Sequence, residues 1–179
     1  MKKTTVYAVL AASLAFTSVA AAHCGHDHDH DHAHEHAHHH TDYTAQFASA
    51  AISTLIEVEG CWIRNIPTPA PSAGYFVVKN NGTEAITLLA ANSTQYDDLM
   101  LHQTVDEDGM AKMKMADDIK IEAGESLEFK PGGYHAMLER PVSAVSVGAQ
   151  VDLELLFDNQ QKVVAQCAVK APGARSATH

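Results

Sequence analysis

The sequence predicts an all-β domain, built as a Greek-key β-barrel or sandwich. From about Thr54 onward, short runs of β-like composition alternate with turn residues, and no helical pattern exceeds a turn or two. About seven to nine short strands with frequent turns are typical of these architectures. The candidate strands are Leu55 to Arg64, Gly74 to Lys79, Ala85 to Ala90, Leu99 to Thr104, Ala111 to Met115, Ile119 to Ile121, Ser126 to Phe129, Tyr134 to Leu138, Ala144 to Gly148, Val151 to Phe157 and Lys162 to Val169.

Two local patterns give specific predictions for the first three strands. Alternation in the first strand is expected to put Ile56, Val58 and Trp62 on one face. A proline-rich loop follows, and the next two strands flank the turn signal Asn80-Asn81-Gly82. Because Asn-Gly is a strong hairpin signal, these two strands are expected to pair with each other.

The residues Met1–Ala22 have the pattern of a secretory signal peptide. Two lysines precede the apolar run Val6 to Phe16, which is too short to cross a bilayer, and small residues follow. Cleavage after Ala22 would leave a new N-terminus at residue 23, although Ala20 and Ala21 are also acceptable ends. We therefore expect export, with no membrane insertion after cleavage.

The predicted organisation is a signal peptide at 1–22, a His-rich arm and linker at 23–53, a β-domain at 54–170 and a tail at 171–179. Cleavage would leave about 157 residues (179 − 22), enough for one domain with a sizeable core. The net charge of −10 becomes −12 (10 − 22) once the two N-terminal lysines are removed. Such an acidic chain is a poor partner for nucleic acid and attracts cations.

Three cysteines follow the predicted signal. Cys61 and Cys167 could form one disulfide in an oxidising compartment, or they could be two separately buried thiols, and the sequence leaves both alternatives open. Cys24 lies in the arm. Lipidation there is not expected, because His23 stands where a lipoprotein signal needs a small residue.

The segment from residue 23 to residue 40 is a low-complexity arm with ten histidines, four acids and no large apolar residue, so it cannot bury a core. Its histidines are His23, His26, His28, His30, His32, His34, His36, His38, His39 and His40. Neutral imidazole binds Cu(II), Zn(II) and Ni(II), and nearby carboxylates favour bound cations. We expect a disordered arm that collects Cu(II) or Zn(II) without selectivity; the alternatives are an inert tail or a cloning tag.

Inside the domain, His102 and His135 share a 38-residue stretch with five of the six methionines. Methionine is a flexible gap-filler that is usually scattered, so this crowding favours a function. Thioether sulfur is a soft neutral ligand and imidazole is borderline, and together they suit Cu(I) better than Zn(II), Mg or Ca. The alternative is that the methionines pack the core and the histidines are ordinary surface residues.

Strand alternation sorts the methionines into faces. His135 and Met137 are one residue apart, so both side chains can point at one metal ion. By the same rule Met113 and Met115 share a face, while Met110 has the opposite parity.

The spacing of four of these residues, H-x10-M-x21-H-x-M from His102 to Met137, reproduces the signature of the PCu(A)C family of periplasmic copper chaperones. The segments 108–113 and 130–138 also resemble the family's G-V-M-K-M and P-G-G-x-H-x-M-L motifs, and the likeness covers roughly Leu55 to Val169. The resemblance implies four metal ligands: His102, Met113, His135 and Met137. Met115 is the substitute if Met113 is not a ligand, and Met100 and Met110 are assigned to packing or the outer shell.

The resemblance also implies a cupredoxin-like β-barrel that carries Cu(I) in the periplasm. The implied recipient is the Cu(A) site of cytochrome c oxidase, on subunit II, or another copper chaperone. One departure from the family pattern is the arm, which precedes the domain. The alternative function is a metal-buffering or resistance protein that relies on that arm.

A redox or hydrolytic role is disfavoured by the residues present. Blue-copper sites need a cysteine thiolate between the histidine ligands, and no cysteine lies between Cys61 and Cys167. No Ser/His/Asp, phosphate-loop or paired-carboxylate pattern stands out. We therefore expect a binding protein and not an enzyme.

Overall fold

The structure is a computed structural model, and it describes residues 41–177. The predicted signal peptide at 1–22 and the ten arm histidines lie outside the described residues. Within 41–177, no helix is long and apolar enough to cross a membrane.

The described chain contains one short helix and eleven strands. The elements are α1 (Thr44–Ser49), β1 (Ala51–Ile52), β2 (Ile56–Arg64), β3 (Ser72–Asn80), β4 (Ile86–Asn92), β5 (Tyr96–Glu107), β6 (Met110–Met115), β7 (Ile119–Ile121), β8 (Ser126–Phe129), β9 (Tyr134–Pro141), β10 (Gln150–Phe157) and β11 (Gln161–Lys170). The all-β prediction is confirmed, and most strands begin and end within a few residues of their predicted bounds.

The strands form one mixed sheet in the order β6-β5-β9-β8-β3-β2-β11-β10-β4-β7, with β1 beside β11 and β9 also beside β3. The sheet is folded over a single core, because strands from distant places in this order bury side chains together. Leu101 of β5, Leu88 of β4 and Ile121 of β7 belong to one buried cluster. Neighbouring strands are antiparallel except for the β1–β11, β2–β11 and β8–β9 pairs.

The first elements, α1 and β1, lie against β10 and β11. Phe47 is buried, and its carbonyl accepts a hydrogen bond from Lys162 Nζ at 2.8 Å. The same ammonium group pairs with Glu154 at 2.9 Å. These contacts tie the segment after residue 43 to β10 and β11.

The predicted hairpin between β3 and β4 is wrong, because the two strands do not pair in the described sheet: β3 pairs with β2, β8 and β9, while β4 pairs with β10 and β7. The reason is Asn80, which is 1% exposed. Its amide donates to the carbonyls of Glu84, Ile121 and Glu122, and its Oδ1 accepts from the Gly82 N–H. Asn80 therefore fixes a corner at which the chain crosses to the other side of the core.

The predicted strand from Ala144 to Gly148 is also wrong, because residues 144–146 have no regular structure and residues 147–148 form a turn. The Ala149 N–H bonds to the Ser146 carbonyl, and Gly148 has a φ of +90°, in the left-handed region. The Val145 carbonyl is taken by the side-chain amide of Asn65 instead of by a strand. Alternating small and β-branched residues gave a strand-like pattern without a partner strand.

A bulge in β2 changes the predicted face of Trp62. Ile56 and Val58 pack into or against the core, whereas Trp62 pairs with Tyr75 on the outer face of β3 after a shift in register. Gly60 lies in the shifted segment with a φ of +60°, which glycine adopts readily. The extra residue reverses the alternation, so Trp62 lies on the face opposite to that of Ile56 and Val58.

A disulfide joins Cys61 of β2 to Cys167 of β11, with 4.4 Å between the two Cα atoms. It settles the alternative that the sequence left open. Cys167 is fully buried, and Cys61 packs against the core at the bulge. The crosslink closes a loop with a sequence separation of 106 residues.

We expect removal of this disulfide, by reduction or in a C61A/C167A variant, to lower the free energy of unfolding. The entropy of closing a loop of this length corresponds to about 4 to 5 kcal/mol. The measurement is the denaturant midpoint with and without reductant, and C24S is the matched control, expected to unfold like the unaltered chain. An unchanged midpoint after verified reduction would contradict the expectation.

Candidate metal centre

The candidate site lies on the face of β5, β6 and β9 that points away from the core. In β5 Leu101 is buried in the core, and in β9 Ala136 and Leu138 are buried there too. Because side chains alternate along a strand, the intervening residues point to the opposite face. His102 and His135 are directly opposite each other in the β5–β9 pairing, so both lie on this outer face.

The register aligns the methionines with the two histidines. Met115 is opposite His102 across the β5–β6 pairing, and Met113 is opposite Thr104. Met100 is opposite Met137 across the β5–β9 pairing. Met100 and Met137 are each two residues from a histidine on the same strand, and Met113 and Met115 are paired with even-numbered residues of β5, so all of these side chains share one face, which we call the His/Met face.

Met110 lies elsewhere, as its parity predicted. It is opposite Glu107, an odd-numbered residue of β5, and so belongs to the other side of the β5–β6 hairpin. Lys112 and Lys114 lie on the same side and both form ion pairs with Glu107. Hydrogen bonds from Lys114 and then Lys112 hold the pKa of the Glu107 carboxyl below its usual value.

A depression of about 190 Å³ opens on the His/Met face. Its lining residues are Arg64, Pro71, Ser72, Ala73, Tyr75, Thr104, Met113, Gly132, His135 and Met137. Three of the four predicted ligands therefore line one depression. The fourth, His102, lies beside it, with its ring centroid 5.9 Å from that of His135 and the two rings 23° from parallel.

The four side chains differ strongly in exposure. His102 and His135 are 8% and 6% exposed, whereas Met113 is 57% exposed on the terminal strand β6. Met137 is half-buried on β9, an interior strand of the sheet. The two imidazoles are therefore held by packing, while the Met113 thioether stands in solvent with three rotatable bonds.

The orientation of His135 is fixed by the turn that precedes it. Its Nδ1 lies 3.0 Å from the Gly133 carbonyl, which can only accept, so Nδ1 is the donor and the lone pair of the neutral ring is on Nε2. The same carbonyl accepts the Thr104 N–H at 3.1 Å. Gly132, with a φ of +81°, allows the tight path of this turn. Proteins commonly orient a histidine ligand in this way, by a hydrogen bond from the ring nitrogen that does not bind the metal.

A polar and aromatic wall bounds the depression on the side of β2 and β3. Trp62 packs against Tyr75 with ring centroids 4.6 Å apart and ring planes tilted by 38°. The Arg64 guanidinium lies 5.3 Å from the Tyr75 ring centroid and donates to its hydroxyl at 2.5 Å. Burial raises the pKa of Tyr75, and the charge of Arg64 partly opposes that rise.

The donor set of this face is soft and neutral. Arg64 is the one charged residue among the described residues that line the depression. Within 41–177, no group of three or more His, Cys, Asp or Glu side chains is arranged to hold a metal ion. A metal bound here would therefore need thioether ligands in addition to imidazole, which selects soft ions.

Sequence reasoning found the histidines and methionines but missed the wall. Arg64 lines the depression because the bulge at Gly60 reverses the alternation of β2, and Tyr75 lines it because it alternates with the core residues of β3. An isolated glycine inside a strand pattern was the available signal, since it often marks a bulge. Met100 was assigned to packing or the outer shell, and it lies on the His/Met face opposite Met137.

A rolled β-sheet that carries paired imidazoles and thioethers on an outer face defines a PCuAC-type, cupredoxin-like domain. The chain belongs to the LpqE-like family, whose model is described as "Putative lipoprotein LpqE-like" and matches residues 56–169. A relative from Rickettsia prowazekii, the uncharacterized protein RP573, is 32% identical over 95 residues. That match covers 52% of each chain, so this chain spans about half of that curated relative's length.

Two solved structures are similar in fold. The copper-bound PCuAC domain from PmoF2 is 22% identical with a TM-score of 0.56, and the match covers 68% of this chain and 97% of that domain. The Cu(I) form of DR1885 from Deinococcus radiodurans is 26% identical with a TM-score of 0.52, and the match covers 69% of this chain and 82% of that one.

We expect the phenol of Tyr75 to lose its proton only above pH 10, because burial raises its pKa from the ordinary value. Removing the opposing charge in R64Q should raise that pKa further. The measurement is the ultraviolet absorbance of phenolate during alkaline titration, with Y75F subtracted to isolate this residue.

The folded chain holds this proton more tightly than the unfolded chain does. The contribution of Tyr75 to stability is therefore complete below pH 10 and declines as the pH rises further. A Tyr75 transition at or below pH 10, or an R64Q variant that titrates earlier, would contradict the assignment.

Proposed function

We propose that this protein binds one Cu(I) ion through His102, Met113, His135 and Met137 and passes it to another protein. The observation that carries the proposal is the convergence of two buried imidazoles and two thioethers on one face, three of them lining one depression. The role is that of a copper chaperone, a binding protein and not an enzyme. Its copper is cargo.

The charge of the site favours a monovalent ion. The four ligands include no carboxylate or thiolate, so they bring no negative charge to the ion, and the nearby Arg64 repels a dication about twice as strongly as a monocation. A divalent ion would also prefer carboxylate or further imidazole ligands, which the described lining residues do not supply. Both effects select Cu(I) over Cu(II) and Zn(II).

The unequal exposure of the ligands suits a transfer function. The imidazoles are buried and His135 is oriented by Gly133, so this half of the site is preorganised. Met113 is exposed on a terminal strand, so its thioether can leave the ion without disturbing the core. A ligand from a recipient protein can then replace it, which lowers the barrier to transfer without releasing free copper.

The similar structures support the choice of ion and the cellular place. Both were determined with copper, and one with Cu(I). The family is described as a lipoprotein family, which supports export, and the predicted signal peptide supports export to the periplasm. We propose that the recipient is the Cu(A) site of cytochrome c oxidase subunit II, or a second copper chaperone that serves it.

The ligand assignment predicts the effect of removing both thioethers. M113L/M137L keeps the side-chain volume but removes the sulfur ligands, and we expect the Cu(I) affinity to fall about a hundredfold or more, close to 3 kcal/mol. The measurement is anaerobic competition with a chromophoric Cu(I) chelator.

The matched control is M110L, which replaces a methionine that is 59% exposed on the other side of the same hairpin. It should bind Cu(I) like the unaltered chain. An M113L/M137L variant with unaltered affinity would remove the basis of the proposal.

We also propose that the ten arm histidines bind Cu(II) or Zn(II) and act as a collector beside the domain site. Deleting residues 23–40 should abolish the additional Cu(II) or Zn(II) binding at neutral pH and leave the Cu(I) affinity of the domain unchanged. In the full chain this additional binding should weaken below about pH 6, because imidazole must be neutral to bind.

The biological readouts are metal tolerance and oxidase assembly in cells that carry only the arm-deleted protein. A chaperone whose function resides in the β-domain retains oxidase assembly after the deletion. Loss of assembly with normal domain binding of Cu(I) would instead favour the metal-buffering alternative.

A further inference from the structure

Two methionines of the His/Met face have no role in the four-ligand site. Met100 and Met115 are both half-buried. In this part of β5 and β6, the described side chains that pack against the core cluster are those of the neighbouring residues Leu99 and Ala116. Core packing therefore does not account for the methionines, and both lie next to His102.

His102 is at the centre of this arrangement. Met115 is its direct partner across the β5–β6 pairing, and Met100 is two residues earlier on the same face of β5. Directly opposed side chains have Cβ atoms about 5 Å apart, and next-but-one residues of a strand are about 7 Å apart. Flexible thioethers at these distances can reach a common ion beside the imidazole.

We propose that His102, Met100 and Met115 form a second Cu(I) position, adjacent to the four-ligand site and sharing His102 with it. The inference rests on the proposed function and extends it from one copper position to two. Because both positions need the same imidazole, the face holds one ion at a time, which moves between them.

The register gives the movement a short route. Met100 is directly opposite Met137, and Met115 is on the same face of β6 as Met113, two residues along the strand. Each thioether of the first position thus has a thioether of the second beside it. The ion stays on His102 while His135 dissociates and the two thioethers of the first position are replaced in turn by those of Met100 and Met115. All of these ligands are neutral, so the step involves no change of oxidation state and no proton.

The alternative role for these side chains is an apolar cover over His102. If Met100 and Met115 only cover His102, replacing them with leucine should leave Cu(I) binding unchanged, because Met-to-Leu substitution conserves volume. A copper position would lose its sulfur ligands in the same substitution. Leucine variants therefore separate the two roles.

The experiment compares M113L/M137L, M100L/M115L and the quadruple variant in the full chain, all with C24S. That background leaves methionine as the source of Cu–S scattering in X-ray absorption, because the remaining cysteines form the disulfide. The probe is Cu(I) alone under anaerobic conditions, with affinity measured by chelator competition. M110L is the control methionine variant.

We expect M113L/M137L to keep one Cu(I) with Cu–S scattering, at reduced affinity. Adding M100L/M115L should remove that scattering and lower the residual affinity at least about tenfold. Loss of all Cu–S scattering already in M113L/M137L, or a quadruple variant equal to M113L/M137L, overturns the second position while the four-ligand site stands. If the C24S chain itself shows no Cu–S scattering, the proposed function fails as well.

Discussion

The pairing of β5 with β9 is the constraint on which the site depends. One register sets the two histidines opposite each other and, at the same time, directs Leu101, Ala136 and Leu138 into the core. A slip by one residue would bury the imidazoles among apolar side chains and expose the leucines. The burial of the leucines therefore holds the two imidazoles in place, and the free energy of core formation stabilises this arrangement without any metal.

The turn before β9 and the bulge in β2 position the residues that surround the two histidines. The turn before β9 orients His135 through the Gly133 carbonyl, and the bulge in β2 places Arg64 at the rim of the depression beside Tyr75 of β3. The disulfide lies at that bulge and ties it to β11. Backbone irregularities thus determine the surroundings of the ligands, while the regular register determines the ligands themselves.

Much of this arrangement follows from alternation in the sequence. The parity of His135 and Met137, the shared face of Met113 and Met115 and the opposite parity of Met110 are all found in the structure. Alternation is a local property, and it holds wherever a strand is regular. The ligand role of these residues remains a prediction from spacing, chemistry and family resemblance.

The errors occurred where distant contacts outweigh local pattern. Asn80 precedes an Asn-Gly sequence that indicates a hairpin, but its side chain bonds to carbonyls some forty residues away and so makes a crossover. The face of Trp62 changed because one extra residue at Gly60 reverses the count. The segment at Ala144 alternates without a strand to pair with. The crossover depends on contacts far outside a window of a few residues, whereas the bulge had a local signal in Gly60 and showed its effect on Trp62 only in the pairing with β3.

The lysines of β6 affect how copies of this protein can associate with each other. β6 is a terminal strand whose outer edge has no partner within the described sheet, and free edges invite pairing between copies of a chain. Lys112 and Lys114 form ion pairs with Glu107 and make that edge charged. Pairing of two copies along this edge is therefore unfavourable. The strand that carries Met113 can therefore remain open to the proposed copper recipient while it resists pairing with a second copy of itself, even when many copies are crowded together.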